Sequence, residues 1–437
     1  MTNRMMELHE LLNERKGTFD RLARAWNGDN PASFMTKKSR EQLDGKLSRL
    51  GVNFPRLVVN SKVDRLSVSG FREVDSDEPH SAAAWARWVA AGMVSKSERV
   101  HTDYYLYGSA YVTVWGDGSN APAVTAASPR NMVAILDPLT GRPVEALRRW
   151  SVGRESRCVH ITPDSATVYG SPAPDFVAGP GGWARISESD NPLGVVPVVP
   201  FIREQSSDDT EGTSAVADVL DLSDALAKLL ADAMVTSEHY ARPRRWATGL
   251  EIEENDDGTP VDPFRKESHL QSEDPDTKFG QFPGSTLDGY TDMIATLTQQ
   301  IGSLTGLPPH YLGLHGDQPA NADGVRAAEA QLASAAYSDQ RALDSEWSTV
   351  AQLMAAVESP AVDPFGHDYA PIWNSPEIRT PSQAADAALK QRDIGIPLHT
   401  VLVRTLGYTP DDAAEVAAQA ERAEISRAAG NLSRLMP

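Results

Sequence analysis

The stretch TGLPPHYLGLHGDQPANADGVRAAE, residues Thr305–Glu329, decides how this chain is built. Gly306 stops whatever helix precedes it. Pro308, Pro309 and Pro319, with Gly313 and Gly316 between them, forbid helix across residues 306–321. Asn321 can cap a new helix, and the alanine-rich run Ala322–Glu358 predicts one uninterrupted helix, about 55 Å long at 1.5 Å per residue. Its apolar stripe is Val325, Ala328, Leu332, Ala336, Leu343, Trp347, Val350 and Met354. Upstream of the loop, Ser285 and Asp288 form a capping-box pattern. A second amphipathic stripe runs along Leu287, Tyr290, Ile294, Leu297, Ile301 and Leu304. A stiffened loop therefore turns the chain between two long helices.

Working outward, Thr213 or Ser214 can cap another helix running to about Tyr240, striped by Val216, Val219, Leu226, Leu230 and Met234. Between these helices lies an acidic, Pro/Gly-rich excursion, Glu251–Gly284. The N-terminal third is expected to be helical over Met5–Ala25 and Ser81–Tyr107, with Pro55–Phe71 as two extended pieces around Lys62-Val63-Asp64. Residues 108–204 change texture to short β-branched and aromatic runs: Ala110–Trp115, Val133–Leu136, Val144–Trp150, Cys158–Ile161, Thr167–Tyr169 and Val195–Ile202. That pattern predicts an α/β or α+β first domain with an antiparallel sheet. The chain closes with three short, punctuated helices. Pro381 and Ser382 open the first and Gly395 ends it, Pro397–Leu406 is the second, and Thr409 caps the third with Pro410 in its first turn.

At 437 residues with 41% hydrophobic content, the chain can bury real cores in two or three domains. Cys158 is the only cysteine, which excludes a disulfide framework and a thiolate cluster. Met1–Arg15 carries Glu7, Glu10 and Glu14, so no signal peptide is expected, and Gly194–Ile202 is too short and too proline-broken to span a bilayer. The expectation is a protein made in the cytoplasm, away from membranes. The net charge of −19 argues against a conventional nucleic-acid binder. The charge is nevertheless segregated. Residues 1–72 hold fourteen Lys/Arg against eight Asp/Glu, and residues 251–277 hold ten Asp/Glu against Arg265 and Lys266. No phosphate-binding GxxxxGK[ST] loop, HExxH or GxSxG occurs, so no catalytic residues, metal or cofactor are assigned and the chain is read as a non-enzyme. His310 and His315 have no carboxylate or thiol at clear metal spacing beside them except Asp317, and Asp256/Asp257 and Asp411/Asp412 read as solvated or helix-start charges.

The order of parts resembles the portal proteins of tailed bacteriophages. Thr305–Gly313 followed by Asn321–Glu329 is similar to the segment around the tunnel loop of siphophage portals. Pro55–Leu66 near Gly70-Phe71 resembles the first wing segment of actinophage portals. The resemblance implies a portal fold: a mixed α/β wing over 1–213, stem helices at 214–245 and 285–305, a small clip at 246–284, a tunnel loop at 306–321, a long wing helix and return at 322–374, and a helical crown at 375–437. It implies a homo-oligomeric, dodecameric ring at one capsid vertex of the virion. Double-stranded DNA would pass through that ring during packaging and ejection without sequence specificity. The expected partners are a terminase, a head-completion (adaptor) protein, and the major capsid and scaffolding proteins, with assembly in the host bacterial cytoplasm. Within that reading Leu312, Leu314, His315, Gln318 and Asn321 face the DNA channel. Leu226, Leu230, Ile294, Leu297 and Ile301 form the subunit interface, and Asp256, Asp257, Phe264, Glu273 and Asp274 form the partner-binding clip. Twelve copies at −19 each would discourage DNA from sticking to the wall. The alternative is a capsid-associated structural adaptor without a DNA-conducting channel.

Overall fold

A computed structural model describes residues 3–29, 53–76, 80–116, 118, 121–176, 182–240, 245–249, 258, 275–281, 287–314, 322–377 and 381–435. The chain divides into two compact units. The first comprises residues 1–27, 53–220 and 302–437, and the second residues 28–52 and 221–301.

In the first unit, helix α1 (Asn3–Asn27) lays Met5, Leu8 and Leu12 on the sheet residues Val133, Leu147 and Cys158, with Trp183 closing the cluster. Those apolar side chains recur three and four residues apart, which gives the helix one buried face. The sheet beneath is an antiparallel meander of Met132–Leu136, Pro143–Val152, Glu155–Ile161, Ser165–Ser171 and Ala184–Asp190, strands β4 to β8 in that order. A three-stranded sheet, β3-β2-β9 (Pro122–Ala127, Ser109–Gly116, Val198–Ile202), shares a second core with it around Tyr111, Met132, Ala146, Ile161 and Val198. The antiparallel sheets expected between residues 108 and 204 are therefore present, with β3 and β8 added to the runs the sequence marked.

Pro55–Phe71 is a correction to the expectation. Residues Phe54–Val63 form helix α2, and only Val68–Glu73 is extended, as β1. Pro55 sits in the first turn, where its missing N–H costs nothing, and the β-branched Val58, Val59 and Val63 are all buried. Burial has overridden their preference for strand. Ser81–Tyr107 is likewise two helices, α3 (Ala82–Ala90) and α4 (Met93–Tyr107), because Gly92 takes a φ of 68° that breaks the run.

β1 pairs antiparallel with β12 (Tyr369–Trp373), which brings residues near 65 beside residues near 375. Behind that ribbon runs α7 (Ala322–Glu358), the long helix the sequence predicts. Its Trp347 is wholly buried, 5.0 Å from Trp88 and 4.5 Å from Phe201 between ring centres. The Trp347 indole donates to His101 Nε2 at 3.1 Å, and burial holds that imidazole neutral, its pKa lowered to about 3 against the backbone hydrogen bond of Leu66. Gly108 and Gly212 meet back to back. A Cβ on Gly108 would lie 2.5 Å from the Gly212 carbonyl oxygen, so neither position has room for a side chain.

The C-terminal helices α8 (Pro381–Asp393) and α9 (Leu398–Leu406) fall close to their predicted bounds, whereas α10 (Pro410–Leu435) starts at the expected cap but runs 26 residues and is not the short helix expected. Leu402, Val403 and Ala413 form their small core, and Thr409 accepts the Asp412 N–H at 3.2 Å as the cap.

In the second unit, α5 (Leu220–Tyr240) starts later than its predicted cap. Ser214 instead donates to the Leu106 carbonyl at 2.6 Å and accepts from the Val216 N–H, and a single turn, Ala217–Val219, precedes the helix. The hydroxyls of Thr236 and Tyr290 lie 3.3 Å apart and tie α5 to α6 (Asp288–Thr305). The strands β10 (Arg245–Thr248) and β11 (Lys278–Gln281) pair antiparallel, with Trp246 lying over Gly280, where only a glycine fits under the indole.

Candidate functional site

The loop after α6 leaves the helix on Gly306, whose φ of 70° packs against Gln331. Leu307 is buried, Pro308 is extended, and Pro309–Leu312 closes a single tight turn ended by Gly313 at a φ of 72°. The amides of Tyr311, Gly313 and Leu314 bond back to the carbonyls of Pro308, His310 and Pro309. The proline density that forbids an α-helix thus still permits an ordered root.

One residue holds that root. Arg65, just past α2 and 6% exposed, donates from Nη1 to the Pro376 carbonyl at 2.7 Å and from Nη2 to the Tyr311 hydroxyl at 2.9 Å. Its guanidinium also lies 3.3 Å from Glu329, a carboxylate on α7 that is itself 7% exposed. His310 Nε2 approaches the other Glu329 oxygen at 3.5 Å, and the His310 and Tyr311 rings pack 4.9 Å apart. A buried ion pair persists only where further hydrogen bonds satisfy both ions, and here the loop, the long helix and the connection after β12 supply them together. Alongside opens a groove of about 430 Å³ lined by Arg65, Arg326, Glu329, Ala330, Ala333 and Tyr337.

Arg65 and Glu329 both fall inside the stretches that resemble portal sequences, yet neither has a role assignable from sequence, because their partnership spans most of the chain. Of the residues assigned to the channel, Leu312 rests against α6, where a Cβ on Gly302 would come within 2.5 Å of it, and Leu314 is half-buried. His315, Gln318 and Asn321 lie outside the described residues, as do Asp256, Asp257, Phe264, Glu273 and Asp274. Among the helix residues assigned to an interface, Leu226 and Ile301 are buried within the single chain. Leu230, Ile294 and Leu297 stay half-buried, and Met234 and Met293 on the same helices are exposed. No metal-ligating cluster occurs among the described residues, and no helix of the described residues is long and apolar enough to cross a membrane.

A mixed helix-and-sheet body, two long helices and a pinned loop between the second of them and a still longer helix are the parts of a phage portal subunit. Family comparison agrees: the model for "Phage portal protein, SPP1 Gp6-like" matches residues 8–427, and the chain belongs to that family. It is 30% identical over 369 residues to the portal protein of Mycobacterium phage D29, covering 80% of this chain and 73% of that one. It is 29% identical over 355 residues to the portal protein of Mycobacterium phage L5, covering 78% and 72%. Among solved structures, a chain from the virion of a native gene transfer agent particle aligns over 88% of this chain and 92% of its own. That alignment has 15% identity and a TM-score of 0.48.

Proposed function

We propose that this portal-family chain assembles into a ring at one capsid vertex and conducts double-stranded DNA during packaging and ejection, with no chemistry of its own. The observation that carries this reading is the loop root. Residues 307–312 are fixed to the body by Arg65, whereas the tip beyond Gly313 carries only uncharged side chains apart from His315 and Asp317. A conduit needs a constriction that is firmly rooted and weakly adhesive, and an acidic chain with a loop tip that lacks basic Lys or Arg meets both requirements. In this proposal Leu312, Leu314, His315, Gln318 and Asn321 face the DNA, with Leu312 also resting against Gly302 of α6. Residues 1–213 act as the wing, 214–245 and 285–305 as the stem, 246–284 as the clip, 322–374 as the long wing helix and return, and 375–437 as the crown. The clip residues Asp256, Asp257, Phe264, Glu273 and Asp274 would meet the head-completion protein and the terminase, and the wing and crown would meet capsid and scaffolding proteins.

Replacing residues 313–321 by a Gly/Ser linker of equal length tests the proposal. Rings should still form, seen as annuli by negative-stain microscopy, while DNA packaging or retention falls. Normal DNA yield and retention with the tip removed would refute the channel assignment.

A further inference from the structure

The first unit buries an arginine that has no counter-ion among the described residues. Arg149 on β5 is 4% exposed, yet its guanidinium meets only neutral acceptors: Nη1 donates to Asn13 Oδ1 at 2.8 Å and Nη2 reaches the Leu12 carbonyl at 3.5 Å. Its Nε is buried without a hydrogen-bond partner. His9, nearby on α1, cannot supply charge of either sign near neutrality, because burial and then the Arg149 charge lower its pKa to about 4. Buried cations are ordinarily paired, and a lone one marks a place where an anion is missing.

Arg149 lines a pocket of about 210 Å³ together with Lys16, Phe19, Arg130, Asp175 and Phe176. Asp20, also at the pocket, is taken by Arg130 at 2.5 Å, whereas Lys16 is exposed and has no ion-pair partner among the described residues. The far wall is a strained turn. Asp175 and Phe176 adopt φ values of 55° and 60°, a region that side-chain-bearing residues rarely occupy. The turn is held there by the buried Ser156, which donates to the Ala173 carbonyl at 2.7 Å and accepts from the Phe176 N–H at 3.1 Å. The Phe176 ring thereby covers the Arg149 guanidinium at 4.8 Å.

We infer that this pocket is a binding site for a single carboxylate carried on an apolar stem, a glutamate-type side chain presented by a polypeptide partner. The two unpaired cations, Arg149 and Lys16, would take the carboxylate. Phe19 and Phe176 would take the methylenes. The Asp175 carboxylate at the same pocket would pair with a basic residue flanking the ligand, and together with Asp20 it disfavours a strand of nucleic acid with its closely spaced phosphates.

Thermal unfolding of the full chain, titrated with N-acetylglutamate amide against sodium chloride at matched ionic strength, tests this inference. Inorganic phosphate and a short DNA duplex serve as parallel probes. The carboxylate should raise the melting temperature saturably, by about 2 °C at ten times its dissociation constant. Arg149→Met should abolish the rise, and Lys16→Gln, at an exposed position that leaves the fold intact, should weaken it several-fold. Arg149→Met should also keep or raise the ligand-free melting temperature, which a purely structural arginine would not allow. Equal responses in the wild type and in Lys16→Gln, or a larger response to phosphate or DNA than to the carboxylate, would overturn the assignment.

Discussion

Arg65→Met removes the hub of the loop root, and the structure sets the size of the effect. The substitution leaves the Glu329 carboxylate, 7% exposed, with His310 as its remaining ion-pair partner among the described residues, and it frees the Tyr311 hydroxyl and the Pro376 carbonyl. Breaking one side of a buried pair costs about 3–5 kcal/mol. Taking the lower figure, the population in which the root is open should rise roughly 100-fold, since about 1.4 kcal/mol corresponds to a factor of ten. Native-state hydrogen exchange reads this directly at the amides of Tyr311, Gly313 and Leu314, which bond within the turn. Exchange there should accelerate by about two orders of magnitude, while amides of the β5–β6 ladder keep their protection. The double substitution Arg65→Met with Glu329→Leu should recover most of the loss, because an apolar pair can replace a buried ion pair at little cost. Unchanged exchange in Arg65→Met, or a double variant as poorly protected as the single one, would show that the ion pair does not hold the root.

Leu297→Asp places a carboxylate on the half-buried face of α6, at a cost of several kcal/mol if a neighbouring copy covers it. Rings should fall apart in sedimentation while the near-ultraviolet signal of the Trp88–Trp347 cluster persists, and unchanged sedimentation would exclude this face from the interface. Glu346 on α7 has its pKa raised from 4.5 to about 7, by burial first and then by the charges of Glu204 and Asp344. The native state therefore keeps a proton that the unfolded chain has lost between those values, so this group's contribution to stability falls as pH rises through that window. Glu346→Gln should gain melting temperature over the wild type at pH 8 and gain nothing at pH 4, and a pH-independent difference would argue against a titrating carboxyl.

Much of this architecture is legible along the chain because helices and hairpins are written locally. The stripe on Ala322–Glu358, the stop at Gly306 and the Thr409 cap all depend on residues within a few positions of one another. Two kinds of feature escape such reading. Phe54–Val63 looks extended because its valines favour strand in isolation, and only their burial against the rest of the first unit makes them helical. The loop root escapes because Arg65 finds Tyr311 and Glu329 through the pairing of β1 with β12, and no local pattern of charge records such a meeting. Arg149 is invisible for the same reason, since a cation in a strand reads as a solvent-facing residue until the helix above it is placed.

The chain's single cysteine has a use that its position dictates. Cys158 is fully buried under α1, and burial pushes its thiol pKa up to about 12, so in the closed protein it is neither reachable nor a thiolate. Alkylation must then wait for α1 to lift from the sheet, and the labelling rate becomes a native stopwatch for that one motion. A cysteine introduced on the loop tip would report on a separate clock. The two rates, read in one tube, would distinguish movement at the loop tip from loosening of the body that carries it.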